Sequence, residues 1–224
     1  MTTLIPPDHL LTFLSAALLI TFAPGPDNLM VLGQSLSRGK MAGFGITLGC
    51  ALGCFTHTIW FTLGLSALVV MYPPAFFILK LIGAVYLAWL GIKALRSNGR
   101  LNINMTDSLP LPWYRFVIRG FIANAVNPKV ALFFISFLSQ FINEPAGHVG
   151  WQGLILGTIF ACQTVIVFSC FAFAAGAIGN LLARRPRMGL WLDRLTGTIF
   201  IGLAVYLLFS GRPQTSPLHI TEST

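Results

Sequence analysis

The sequence predicts an all-α integral membrane protein: six transmembrane helices arranged as two inverted three-helix repeats, with helices one and four broken. Three observations lead there. Only 9% of the 224 residues are charged, against about 25% in a soluble domain. Mean hydropathy is +0.79, and at about 20 apolar residues per crossing the hydrophobic runs fit six spans. Prolines interrupt the first and fourth of those runs at corresponding places.

The spans are expected over His9–Gln34, Ala42–Met71, Pro74–Leu95, Phe116–Ile142, Trp151–Leu182 and Leu190–Phe209. Residues 1–96 then form the first repeat and 97–115 a cytoplasmic connecting loop. Residues 116–210 form the second repeat and 211–224 a polar tail.

The first span contains TFAPGPDNLM, Thr21 to Met30. Before it, Leu10–Phe22 supplies only about 13 apolar residues, too few to cross a hydrocarbon core of roughly 30 Å. The crossing must include residues beyond the prolines. Proline has no amide hydrogen and its ring clashes with the preceding turn; it also pushes the residue before it off the helical region. The helix should break near Pro24–Pro26 and restart. Irregular backbone at membrane depth survives only against protein or a wet cavity. The free amides of a restarted helix attract anions, and the free carbonyls of an ended one attract cations. Such a break can hold both ends of a zwitterion.

In the second span, Gly49, Gly53 and His57 share one face. The glycines allow close helix contact, so His57 should point at whatever neighbour they pack against. It is a candidate for proton coupling, because imidazole titrates near neutral pH; the plainer reading is a hydrogen bond to a backbone carbonyl. Cys50, Cys54 and His57 also fall at i, i+4 and i+7, a spacing that suits a soft metal, and this keeps a metal-ion exporter as the alternative reading. No fourth ligand is evident, and no resident metal or cofactor is expected. All four cysteines lie in apolar runs and read as reduced packing residues. Tyr86 and Trp89 in the third span, with Trp60 and Trp151, read as interface or packing aromatics.

The fourth span repeats the break with Asn127, Pro128 and Lys129. A charge at mid-bilayer costs about 2.5–3.5 kcal/mol on insertion scales, so Asp27 and Lys129, each just after the matched proline, should pair or face water. Pairing with each other is the simplest solution; helix capping by Asp27 is the structural alternative. Asn28, Asn124, Gln163 and Thr164 are polar side chains in or near the spans that either line a pathway or join helices.

The halves align weakly. APGPDNLMVL (Ala23–Leu32) matches AVNPKVALFF (Ala125–Phe134), GITLGCALGC (Gly45–Cys54) matches GLILGTIFAC (Gly153–Cys162), and KLIGAVY (Lys80–Tyr86) matches RLTGTIF (Arg194–Phe200). Three spans is an odd number, so consecutive halves must enter the membrane in opposite directions, a recurring plan of secondary transporters.

Eleven of the fourteen Lys and Arg residues fall in the loops after spans one, three and five. By the positive-inside rule that side is cytoplasmic, and both termini lie on the other. The net charge of +8 thus reads as orientation. Nucleic-acid binding is not expected, since no basic stripe interleaved with aromatics exists. The N-terminus lacks the basic region of a signal peptide. Six acidic residues, with Asp27 alone deep in a span, supply no catalytic set, so an enzyme is not expected.

These residues resemble the lysine exporter/RhtB family of bacterial amino-acid exporters. The likeness is carried by APGPDN (Ala23–Asn28), SRGKMAGFGITLG (Ser37–Gly49) and LIGAVYLAWLGIKAL (Leu81–Leu95). It continues in FIANAVNPKVALFFISFLSQFI (Phe121–Ile142) and LTGTIFIGLAVYLL (Leu195–Leu208). The resemblance implies export of amino acids or close derivatives across the bacterial cytoplasmic membrane, driven by proton exchange. On the reading of the residues given above, the substrate would sit at Gly25, Pro26, Asp27, Asn28, Asn124, Asn127, Pro128, Lys129 and Gln163, with Asp27 and His57 as the candidate proton carriers. The glycine-rich faces of spans two and five would pack between the halves or between the subunits of a homodimer.

Overall fold

The computed structural model describes residues 4–65, 73–98, 111–184 and 187–209. The expected end of span two (66–71), most of the connecting loop (99–110) and the tail (211–224) lie outside the described residues. Among those residues the chain is all-helical, with no strand. Eight α-helices follow one another: α1 (Pro7–Phe22), α2 (Pro26–Arg38), α3 (Lys40–Trp60), α4 (Pro73–Leu95), α5 (Tyr114–Ala125), α6 (Pro128–Phe137), α7 (Val149–Arg184) and α8 (Arg187–Phe209). A π-helical turn, Phe61–Leu65, extends α3, and a 3₁₀ turn, Leu138–Phe141, extends α6.

Lys40–Gly64, Val149–Leu181 and Arg187–Phe209 are continuous stretches long and apolar enough to cross a bilayer. The pairs α1–α2 and α5–α6 pass the same test jointly and are bent by 54° and 52°, which brings the count to five. The chain is thus a multi-pass membrane protein.

Both bends fall where proline removes the helical ladder. The amide of Ala23 still reaches Leu19 O at 3.0 Å, but Pro24 and Pro26 have none to offer, and the ladder resumes with Leu29 N to Gly25 O at 3.0 Å. Pro26 takes the first helical position of α2, where its missing amide costs nothing. In the second bend Pro128 does the same for α6, and Asn127 caps that helix by accepting from Lys129 N at 2.9 Å. Between α2 and α3 the chain turns at Gly39, whose φ of 89° favours glycine.

Glycines set how the helices meet. Gly45, Gly49 and Gly53 of α3 lie along Phe116, Gly120 and Asn124 of α5. A Cβ on Gly49 would stand 2.7 Å from the Phe121 amide nitrogen, and one on Gly53 would stand 2.8 Å from Asn124 Cβ. Trp113 Nε1 donates to Met41 O at 2.9 Å and ties the start of α5 to α3. On its other side α3 receives Gly153 and Gly157 of α7 against Phe61 and Thr58. The glycine face of α3, and Gly153 and Gly157 of α7, are therefore used within one chain. Helices α4 and α8 run antiparallel, with Gly83 near Leu207, and Gly91 and Gly197 each close to the other's carbonyl.

The main core is a phenylalanine stack. Phe13, Phe133, Phe134, Phe137, Phe141 and Phe160 are buried in one cluster, with Phe133 and Phe137 stacked at 5.4 Å and Phe134 edge-on to Phe160 at 5.1 Å. Many large apolar side chains are exposed outside it. Trp60, Trp89 and Trp151 are exposed, as suits side chains facing lipid or its interface rather than a packed core. The cysteine expectation needs correction: Cys50 and Cys54 are buried, but Cys162 and Cys170 face outward. In lipid an apolar residue gains nothing by turning inward.

Candidate functional site

The two bends bring the end of α1, the start of α2, the end of α5 and the start of α6 together beside α3 and α7. Asp27, Asn28, Asn124, Asn127, Lys129 and Gln163 are all buried there. Pro26 and Pro128 supply the breaks, and Gly25 supplies the extended link with φ near −167°.

Each charge meets the broken end of the other half. Lys129 Nζ donates to Ile20 O at 3.1 Å and to Ala23 O at 3.0 Å. These carbonyls lie at the C-terminal end of α1, where the helix dipole favours a cation. Asp27 sits in the first turn of α2, where the dipole favours an anion, and its Oδ2 accepts from Asn124 Nδ2 of α5 at 2.8 Å. The expected direct pairing of Asp27 with Lys129 is therefore corrected. The ammonium is already taken by carbonyls that the first break set free, and Asp27 Oδ1 has no hydrogen-bond partner. Nor does Asp27 cap its helix, since α2 starts without a side-chain cap.

The two charges instead face one small cavity of about 10 Å³, the room of about one water molecule. Its polar wall is Thr21, Asp27, Asn124, Lys129 and Thr164, and its apolar wall is Ile20, Val130, Phe160 and Phe168.

His57 lies where the glycine register of α3 directs it. Its Nε2 donates to Asn124 O at 2.9 Å, so the plainer of its two readings describes its geometry. That carbonyl belongs to the same residue whose amide holds Asp27. Asn124 thus links α3, α5 and α2.

Thr21 was not singled out from the sequence as a site residue, yet it is a junction. Its carbonyl accepts from Asn28 Nδ2 at 2.7 Å and its Oγ1 from Gln163 Nε2 at 2.8 Å. Gln163 also donates to Thr164 Oγ1 at 3.2 Å, and the Thr164 hydroxyl donates to Phe160 O at 2.8 Å. A threonine in an apolar helix ordinarily bonds back to its own turn, as Thr47 and Thr58 do. Nothing in the local pattern distinguishes Thr21 from those. Among the described residues no three His, Cys, Asp or Glu side chains gather as a metal shell, so the spacing of Cys50, Cys54 and His57 does not produce a chelate.

Curated relatives span nearly the whole chain. A leucine efflux protein of Enterobacter sp. is 30% identical, covering 88% of this chain and 93% of its own. The leucine efflux protein of Salmonella typhimurium is 28% identical, covering 88% and 92%. A membrane protein of Vibrio cholerae is 31% identical, covering 88% and 95%. No solved structure matches the chain. Residues 18–211 match the family described as LysE type translocator: the chain belongs to this family, and it is a transporter rather than an enzyme.

Proposed function

We propose that the protein exports amino acids or close derivatives from the bacterial cytoplasm in exchange for protons. The observation that carries this reading is the pair Asp27 and Lys129 across one cavity at the junction of two broken helices. A buried cation and anion that do not hydrogen-bond each other are costly in a membrane, and a zwitterion bridging them recovers that cost. The apolar wall of Ile20, Val130, Phe160 and Phe168 favours an aliphatic side chain, and the names of the leucine efflux relatives favour the same class.

The architecture we propose is six spans in two inverted repeats, with α4, which is 23 residues long, as the remaining span. Several features support it. The bends are nearly equal and start at the aligned Pro26 and Pro128. The last helices of the two halves, α4 and α8, run antiparallel. Lys129 holds the end of α1 while Asp27 holds the end of α5. Rocking of one half against the other would open the cavity to alternate sides. The basic loops would face the cytoplasm and both termini the outside, in the inner membrane. Asp27 and His57 are the candidate carriers of the exchanged proton in this scheme.

Counterflow in proteoliposomes tests the proposal, using labelled leucine, threonine, homoserine and lysine with and without an imposed pH gradient. The expected result is exchange of a neutral amino acid without a gradient, and net movement in the export direction when a gradient, acid outside, is imposed. Absence of exchange for every substrate refutes it.

A further inference from the structure

The hydrogen-bond inventory around the cavity is unbalanced. Asn124 turns its amide nitrogen to Asp27 Oδ2. A carboxylate accepts, so Asn124 Oδ1 must be the free end, and it has no partner. Asp27 Oδ1 also has none. Both residues line the cavity, and each is 2% exposed.

Behind Thr21 the pattern repeats. Asn28 points its nitrogen at the Thr21 carbonyl, which can only accept, and so leaves its oxygen without a donor. Thr164 has spent its proton on Phe160 O, so Gln163 must offer it nitrogen, and Gln163 Oε1 is left over. Among these site side chains four acceptor oxygens lack a donor, and one donor, Asn127 Nδ2, lacks an acceptor.

The resident cation does not correct this. Lys129 Nζ is held by Ile20 O and Ala23 O. It lies against Gly25, where a side-chain carbon would come within 2.7 Å of it. The open oxygens of Asp27 and Asn124 thus receive no hydrogen bond from the one lysine that lines the cavity.

We propose that Asp27 Oδ1 and Asn124 Oδ1 form a primary-ammonium subsite, and that ligand recognition here rests on the ammonium group more than on the carboxylate. A primary ammonium brings three N–H donors and no acceptor, the complement of an acceptor-rich wall. A carboxylate finds one orphan donor and a lysine already engaged. Thr21, Asn28 and Gln163 act as positioning residues: they tie α1, α2 and α7 together beside the subsite and set the width of its mouth. The ligand enters as the cavity widens, since about 10 Å³ holds only about one water.

The inference rests on the export reading for the subsite's occupant, and its test separates the two. The probes are methylamine and 3-methylbutylamine, against acetate and 4-methylpentanoate. Each is added to the purified full chain in detergent, with thermal unfolding as the readout, and each is tried as a competitor of leucine counterflow. Both amines are expected to raise the unfolding midpoint, and 3-methylbutylamine to inhibit counterflow at least tenfold more strongly than 4-methylpentanoate. Asn124→Leu should weaken the amine effect at least tenfold. Should that variant not fold, the wild-type comparison of amine with acid decides alone. Equal action of amine and acid overturns the subsite while leaving export intact. Amine binding with no amino-acid counterflow overturns export while leaving the subsite intact. No binding of either amine overturns the subsite.

Discussion

The Lys129 ammonium rests on Gly25: a side-chain carbon at position 25 would lie 2.7 Å from Nζ and 3.3 Å from Cε. Glycine is required there to let a lysine of the second half reach the carbonyls of Ile20 and Ala23 in the first. Gly25→Ala should push the ammonium off at least one carbonyl. A hydrogen bond from a charged group is worth about 1.5–3 kcal/mol, so the unfolding midpoint in detergent should fall clearly. The cost should not add to that of Lys129→Met, because both remove the same contact. In the double variant the second change is expected to cost less than half of what it costs alone; full additivity would show that the two residues are energetically independent.

How much of this was legible in the sequence depends on what each residue needed. The breaks were, because Pro24, Pro26 and Pro128 lack the amides that would carry the preceding helix onward, whatever surrounds them. The glycine face of α3 was also legible, but not its partner: Gly49 states that something comes close, and only the fold says that it is Gly120 of α5. The partner of Lys129 was missed for a physical reason. An ammonium beside a broken helix has carbonyls at its C-terminal end as rivals to any carboxylate, and the rotamer that chooses between them is a tertiary outcome. Thr21 was missed because a threonine in an apolar run looks the same whether it bonds to its own turn or to Gln163.

The glycines divide into two classes with opposite expected effects. At Gly49 and Gly120 a Cβ would run into facing backbone, whereas at Gly176 and Gly202 nothing lies within 4 Å. Gly49→Ala should separate α3 from α5 and take His57 away from Asn124. Gly176→Ala and Gly202→Ala sit inside helices α7 and α8, where replacing glycine by alanine gains up to about 1 kcal/mol of helix propensity. Size-exclusion profiles and unfolding midpoints of the three variants should show Gly49→Ala impaired and the other two equal to or above the parent. Equal tolerance at all three positions would contradict the α3–α5 contact.

His57 distinguishes a positioning role from a proton-carrying one. Its Nε2 fixes the Asn124 carbonyl at 2.9 Å, and Asn124 fixes Asp27. If it only positions, His57→Gln, whose amide can donate to the same carbonyl, should keep most activity, and His57→Leu should raise KM several-fold. The loss should then be equal in counterflow, which moves no net proton, and in gradient-driven efflux. A variant that retains counterflow but no longer responds to a pH gradient would instead make His57 a carrier.

Thr21→Val removes an acceptor and leaves the shape. Gln163 Nε2 would keep only its 3.2 Å bond to Thr164 Oγ1, and a buried amide losing a partner costs about 1–3 kcal/mol. Asn28 would be untouched, because it bonds to the Thr21 carbonyl and not to the side chain. Transport should therefore fall through a loosened α1–α7 junction. Thr21→Ser, which restores the hydroxyl, should return activity, and Gln163→Leu should reproduce the valine phenotype. Full activity in Thr21→Val would remove Thr21 from the site.

The outward placement of Cys162 and Cys170, against the burial of Cys50 and Cys54, gives a test of the helix rotations that needs no transport assay. Rotating α7 by half a turn would bury the first pair, and rotating α3 would expose the second. A membrane-permeant apolar maleimide applied to the folded protein in detergent should label two thiols per chain rapidly, and all four after unfolding. Cys162→Ala and Cys170→Ala should each remove one fast site. Cys54→Ala should leave the fast count unchanged, because Cys54 is buried in the same core cluster as Phe134 and Phe160. Fast labelling of Cys50 or Cys54 would mean that α3 faces the wrong way. His57, one turn beyond Cys54, would then lose its place against Asn124, and the polar network around Asp27 would lose its anchor on α3.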